Sequence, residues 1–191
     1  PKDLIEEEDA VRSRYGAPGS SPLKATFVEE IQAKLQAGST DIEFVKERPD
    51  IMILIDTLTL RVEVDVRPVF IYGRYIKNTR EIPQTRWPCR SCRGRKGGCE
   101  ACESSGLQYP DSVQDLIGRP LVTGMGAFDT AFHGMGREDI DVRCLGEGRP
   151  FVLEVKSPRS RSPELADYES IISSTSDGRV EVKSLRFSDR K

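Results

Sequence analysis

The cleanest binary pattern in the chain lies at 60–67, where Leu60, Val62, Val64 and Val66 interleave with Arg61, Glu63, Asp65 and Arg67. A period of two predicts a half-exposed strand paired to a neighbour. The continuous apolar run 51–55 just before it predicts a strand buried on both faces. Upstream, Leu23, Phe27, Val28, Ile31 and Leu35 recur at helical spacing, with Gly38 placed as a C-cap. A short strand is expected at 42–45, broken by Arg48-Pro49-Asp50. Residues 1–20 begin with four consecutive acidic groups and read as a short helix or solvated lead followed by a Gly/Ser/Pro loop.

Downstream, 68–72 predicts a short strand, and 73–88 reads as a loop-like segment rich in cations and aromatics. Ser112 caps a short helix through Val113, Leu116 and Ile117 that is expected to end at Gly118. Residues 124–128 predict a loop, 164–172 a helix and 180–185 a final strand. Between these, 134–156 reads as a β-hairpin. Ile140, Val142 and Cys144 share one face of its first arm, and Asp139, Asp141 and Arg143 share the other. The segment 146–150, with two glycines and a proline, is expected to turn the chain. In the second arm Phe151, Leu153 and Val155 oppose Val152, Glu154 and Lys156. One side of this ribbon can enter a core while the other displays carboxylates beside basic groups.

Composition narrows the class. The 191 residues are 37% hydrophobic and 31% charged, a globular balance with room for one large or two small domains. Net charge is only −2, but it is unevenly placed. Residues 1–66 carry 8 basic and 14 acidic groups, whereas 67–96 carry 9 basic groups against Glu81 alone. A cationic block inside a near-neutral chain is a candidate phosphate footprint. Its interleaved aromatics suit stacking on bases; the alternative is a basic surface loop whose aromatics serve the core. Arg74, Tyr75, Arg80, Arg86 and Trp87 are the candidate RNA contacts here, joined by Arg137 and Arg143 from the hairpin. No apolar run is long enough for a membrane span or a secretory core, so a cytoplasmic protein without a membrane partner is expected. The chain opens on Pro1 rather than Met, as expected of a fragment.

Cys89, Cys92, Cys99 and Cys102 form two CxxC turns separated by six residues, three of them glycine. Each turn presents two sulfurs to one point, which fits a tetrahedral zinc with four thiolate ligands. Two disulfides or free thiols are the alternatives, and nothing in the chain suggests an oxidising compartment. With every ligand position filled by protein, such a zinc is structural. Cys144 is expected to be a small core residue, and the lone His133 neither ligand nor base.

Together, Gly73-Arg-Tyr, the stretch 80–89 (Arg-Glu-Ile-Pro-Gln-Thr-Arg-Trp-Pro-Cys), the cysteine pairs, 136–143 and Gly148-Arg-Pro-Phe151 resemble the tRNA pseudouridine-54/55 synthases in their archaeal form. The resemblance covers about residues 40 to 160. It implies an α+β architecture. Residues 1–66 would be the end of a THUMP-containing RNA-binding domain, and 67–191 the first part of a mixed-sheet catalytic domain with a zinc loop at 87–106. It also implies tRNA as partner, uridine isomerisation in the TΨC arm at positions 54/55, and catalysis without a cofactor. The family's G-R-x-D segment matches Gly136-Arg137-Glu138-Asp139 and makes Asp139 the catalytic aspartate. It would stand at the start of a strand, held ionised by Arg137 or Arg143. The family's active-site tyrosine and later basic residue have no match before Lys191, so this chain alone is expected to be inactive.

Two readings compete. Asp141 with Glu154 and Lys156 fits the D…ExK pattern of Mg²⁺-dependent nucleases, in which two carboxylates hold the metal and a lysine positions water. A non-catalytic zinc-stabilised RNA-binding module would also explain the basic block and the cysteines.

Overall fold

The computed structural model describes residues 2–16, 22–39 and 41–189, with the side chains of 2–5 left out. The chain divides into two compact units, Pro1–Pro49 and Asp50–Lys191.

The first unit holds two helices, α1 (Lys2–Tyr15) and α2 (Leu23–Gly38). The acidic opening is helical, and Glu8 pairs with Arg12 one turn on. Glu8 also accepts from the backbone N–H of Leu23, at the start of α2. α2 carries the expected apolar stripe, yet none of its residues is buried. The strand expected at 42–45 is irregular chain instead. No strand pairs with it among the described residues, so its backbone has no ladder to join.

The second unit opens with an antiparallel hairpin, β1 (Ile51–Asp56) and β2 (Arg61–Val66). Asp56 closes the turn, its carboxylate accepting from the N–H groups of Leu58 and Thr59 and from the Thr59 hydroxyl. The alternation at 60–67 therefore did mark a paired strand. The double-sided burial expected for 51–55 is not found, and Ile51, Met52, Ile53 and Leu54 are all exposed. Among the described residues the ribbon has two strands, and a sheet of two covers neither of its own faces.

The main sheet has the order β4-β5-β3-β6, with β3 spanning Val69–Lys77, β4 Asp129–Gly134, β5 Cys144–Lys156 and β6 Val180–Ser188. Every pairing in it is antiparallel. The mixed sheet expected of the domain is thus not seen among the described residues. Helices α3 (Val113–Met125) and α4 (Leu165–Thr175) supply the second layer. Ile71 and Tyr75 of β3, Phe151, Leu153 and Val155 of β5, and Val180 and Val182 of β6 join Leu116, Ile117, Leu121 and Ile172 in one core. Phe132, Phe151 and Tyr75 pack there as an aromatic trio, with one stacked and two edge-on contacts at 5.2–5.9 Å.

Three expectations are corrected here. β3 does not end at 72 but runs through Arg74 and Tyr75 to Lys77, so the first five residues of the supposed loop are central strand. α3 does not stop at Gly118. A Cβ at that position would lie 2.8 Å from the Thr130 hydroxyl, so the glycine serves close packing of α3 on β4, and Gly126 ends the helix instead. The hairpin at 134–156 is displaced along the chain. Its arms are β4 and β5, and 135–143 is the connection between them.

The segment 146–150, expected to be the turn, lies inside β5 as a bulge. Tyr75 pairs with Arg149, but two residues on, Lys77 pairs with Cys144. Gly146 and Gly148 adopt left-handed conformations that let the extra residues loop out. Arg74 braces the bulge by donating to the carbonyls of Glu147 and Gly148, at 2.7 Å each. A Cβ on Gly148 would meet the Tyr75 carbonyl at 2.7 Å. Gly148→Ala is therefore expected to destabilise the unit by about 1–3 kcal/mol. Chemical denaturation checks this, and an unchanged midpoint would mean that the bulge relaxes freely.

Candidate active site and metal centre

Asp139 lies in the connection 135–143, not at the start of a strand. Its side chain is exposed, and among the described residues its carboxylate has neither hydrogen bond nor ion pair. Arg137 does not hold it. That guanidinium instead sits 5.6 Å from the centre of the Trp87 ring, a cation–π contact. Arg143 is exposed, as is Arg80. So Asp139, Arg80, Arg137 and Arg143 all face solvent.

Beneath the loop the chemistry is reversed. Glu138, the neighbour of Asp139, is buried, and its Oε2 accepts from the Tyr75 hydroxyl at 2.5 Å and from Gln84 Nε2 at 3.2 Å. Arg149 Nε approaches the same oxygen at 3.4 Å. Gln84 Nε2 also donates to the Tyr75 hydroxyl oxygen at 2.8 Å and to the Gly136 carbonyl at 3.0 Å. Burial and the adjacent Glu138 carboxylate raise the Tyr75 phenol far above its ordinary pKa, so it stays protonated as a donor. Lys77, wholly buried, donates to the carbonyls of Ile82, Asp139 and Ile140. The stretch 81–84 is the wedge between these layers. Glu81 N–H donates to the Ile140 carbonyl, while the carbonyls of Pro83 and Gln84 accept from the first turn of α3.

Several candidate RNA contacts also make structural contacts. Tyr75 lies in the core with no exposed surface, which withdraws it from any stacking platform. Arg74 is committed to the bulge. Arg86 bridges Asp115 of α3 and Asp129 of β4, at 2.7 Å each. Trp87 is half-buried and edge-on to Tyr109 at 5.6 Å, and Arg137 lies over its ring. Sequence reasoning missed Lys77, Gln84, Glu138 and Arg149. The available signal was Gln84 in the Arg-Glu-Ile-Pro-Gln-Thr stretch and the acidic Glu138 directly before Asp139.

The nuclease residues are not assembled. Glu154 pairs with His133 at 3.0 Å. The connection carrying Asp141 leaves β4 at Gly134, opposite Phe151. Lys156 lies five residues further along β5, about 17 Å at strand spacing.

The four cysteines come together as expected. All four sulfurs lie within 4.8 Å of one another. Neighbouring pairs are 3.7–3.9 Å apart, and none is a disulfide. A tetrahedron with metal–sulfur bonds of about 2.3 Å has edges of about 3.8 Å, so the cluster is compatible with a structural metal ion. Burial opposes ionisation of Cys102, but the N–H groups of Cys99 and Gly106 point at its sulfur and bring its pKa down to about 6. Burial and the neighbouring thiols push Cys99 up to about 11. A Pro88–Leu107 bridge and the Gln108 N–H to Trp87 carbonyl bond close the base of this loop. Trp87 therefore touches the metal loop on one side and, through Arg137, the Asp139 connection on the other.

Residues 70–191 match the family described as Pus10, C-terminal. The chain belongs to the Pus10 family. It is 53% identical over 145 residues to the tRNA pseudouridine synthase Pus10 of Methanothermobacter marburgensis, covering 75% of this chain and 36% of that protein. The protein of that name from Methanothrix thermoacetophila is 41% identical, over 98% of this chain and 41% of its own length. The one from Korarchaeum cryptofilum is 40% identical over the whole of this chain and 50% of its own. The chain thus spans between about a third and a half of these Pus10 relatives.

One metal ion per chain is expected, with Cys89, Cys92, Cys99 and Cys102 protected from alkylation until a chelator removes it. Since binding displaces thiol protons, affinity should fall as the pH is lowered. Metal analysis with mass-spectrometric thiol labelling checks this; equal reactivity with and without chelator would exclude the centre.

Proposed function

We propose that the protein containing this chain is a tRNA pseudouridine synthase, with Asp139 as its catalytic carboxylate. The observation that carries this reading is the pairing of opposites at 138–139. Glu138 is locked beneath the loop, while Asp139 stands unpaired and exposed on an anchored backbone. The relatives' shared name supports the activity, and the match of 136–139 to the G-R-x-D segment supports the residue.

The reaction breaks the bond between C1′ and N1 of a uridine, turns the base, and joins C1′ to C5. The C5 proton is lost and N1 gains one, so no redox partner is needed. A carboxylate beside the sugar acts as nucleophile or base. The uridine must leave the stack, at a cost of a few kcal/mol. Arg80, Arg137 and Arg143, exposed near Asp139, are suited to the phosphates of the displaced strand. Trp87 offers a ring face already in contact with a guanidinium. The substrate position is read as 54/55 in the TΨC arm. The four-cysteine ion is read as zinc, structural because no ligand position is left open. The segment 1–66 is read as the end of a THUMP-containing domain. The protein is read as cytoplasmic, in keeping with the absence, among the described residues, of any helix long and apolar enough to cross a membrane.

Asp139→Asn in the full-length protein should lower pseudouridine formation by roughly 10²-fold or more while leaving tRNA affinity nearly unchanged. Substantial residual turnover would remove Asp139 from the chemistry. Isomerisation that proceeds in EDTA without added magnesium excludes the nuclease reading, whereas chelator-sensitive strand cleavage would favour it. Tight tRNA binding by the full-length protein without any turnover would favour a binding module.

A further inference from the structure

The exposed carboxylate of Asp139 rides on a backbone that the buried Lys77 grips from below, alongside the Glu81 N–H bond to the Ile140 carbonyl. Lys77 ends the central strand with no surface exposed to solvent. Its ammonium has three protons, and three carbonyls surround it: Ile82 at 3.0 Å, Ile140 at 3.1 Å and Asp139 at 3.3 Å. Among the described residues no carboxylate lies within ion-pair distance of it. Two of its acceptors belong to the connection that displays Asp139, and the third belongs to the 78–84 segment that wedges beneath it.

A lysine that merely filled the core would not need this arrangement. Loop carbonyls at an exposed rim can be satisfied by water, and an ammonium is costly to bury. Here the charge is committed to fixing the main chain of a particular residue and the next. The contact is to the carbonyl of Asp139, not to its carboxylate. It therefore sets where the side chain leaves the backbone without neutralising the group. Glu138 fixes the other flank, its buried side chain held by Tyr75, Gln84 and Arg149. With residue 138 tied downward and the carbonyls of 139 and 140 tied inward, little freedom remains in the direction of the Asp139 side chain.

We propose that Lys77 is a positioning residue for Asp139, placing its carboxylate against the sugar of the target uridine by gripping the main chain beneath it. This rests on the reading of Asp139 as the catalytic carboxylate. Misplacement of a reacting group by about 1 Å costs on the order of 10²-fold in rate, which sets the size of the expected effect.

The test uses the full-length protein with tRNA transcript, comparing wild type, Lys77→Met and Asp139→Asn. Lys77→Met is close in size and removes only the donors. It should lower kcat, normalised to the folded fraction measured by circular dichroism, by roughly 10²-fold with KM for tRNA little changed; the normalisation is needed because loss of folded protein alone gives the same split. Hydrogen exchange should accelerate at 137–143 while the β3–β5 ladder stays protected. Should the methionine variant fail to fold, Lys77→Gln keeps a donor in the same pocket and should show the same loop-specific exchange with a smaller loss of kcat.

Normal kcat in a folded Lys77 variant, alongside a severe defect in Asp139→Asn, overturns the positioning role alone. Wild-type turnover in Asp139→Asn overturns the catalytic reading and with it the consequence assigned to Lys77. Uniformly faster exchange across the whole sheet would make Lys77 a general stabiliser and also overturn the proposal.

Discussion

Side chains alternate across a strand, so Val69, Ile71, Tyr75 and Lys77 of β3 all enter the same side of the sheet. That face changes character along its length. Its first half is aliphatic and meets the helices. Its second half carries a phenol and an ammonium, and these must find partners because they are equally buried. The partners come from the 81–84 wedge and the 135–143 connection, neither of which has regular structure of its own. The polar end of one core face thus dictates where two irregular segments lie.

From this constraint the separation of roles follows. Groups that looked equally available in the sequence divide into those consumed by the scaffold and those left at the rim. Tyr75, Arg74 and Arg86 belong to the first set, holding Glu138, the β5 bulge and the junction of α3 with β4. Asp139, Arg80, Arg137 and Arg143 belong to the second. The four-cysteine loop adds a segment of the second unit with almost no apolar core, whose buried side chains are cysteines. Its geometry rests on the clustered sulfurs and on the Pro88–Leu107 bridge at its base.

Sequence alone made legible whatever depended on local spacing. The alternation at 60–67 gave β2, the inward Phe151, Leu153 and Val155 gave the core face of β5, and the two CxxC turns gave the sulfur cluster. Ser112 marked the start of α3 correctly. What it concealed were features decided by a partner far along the chain. Gly118 read as a helix end because the nearby Thr130 is invisible to a local pattern. Gly146 to Pro150 read as a turn because bulge and turn demand the same backbone conformations. Tyr75 stays open between stacking and core, and Lys77 is one cation among nine, because a local pattern does not show which side chains of a basic segment are buried. The family-like segment at 136–139 made Asp139 the candidate, but the burial of its neighbour Glu138 needed the fold.

The bulge in β5 also fixes a length. Had β5 continued regularly past Arg149, Glu147 would stand opposite Lys77. Instead Cys144 does, so three residues are absorbed without advancing along the sheet. At strand spacing that is about 10 Å of travel. The chain between β4 and β5 consequently needs only nine residues to come home, and it passes low over Lys77 instead of arching away. A small irregularity in one strand works as a tether, keeping the exposed rim close to the rigid floor beneath it.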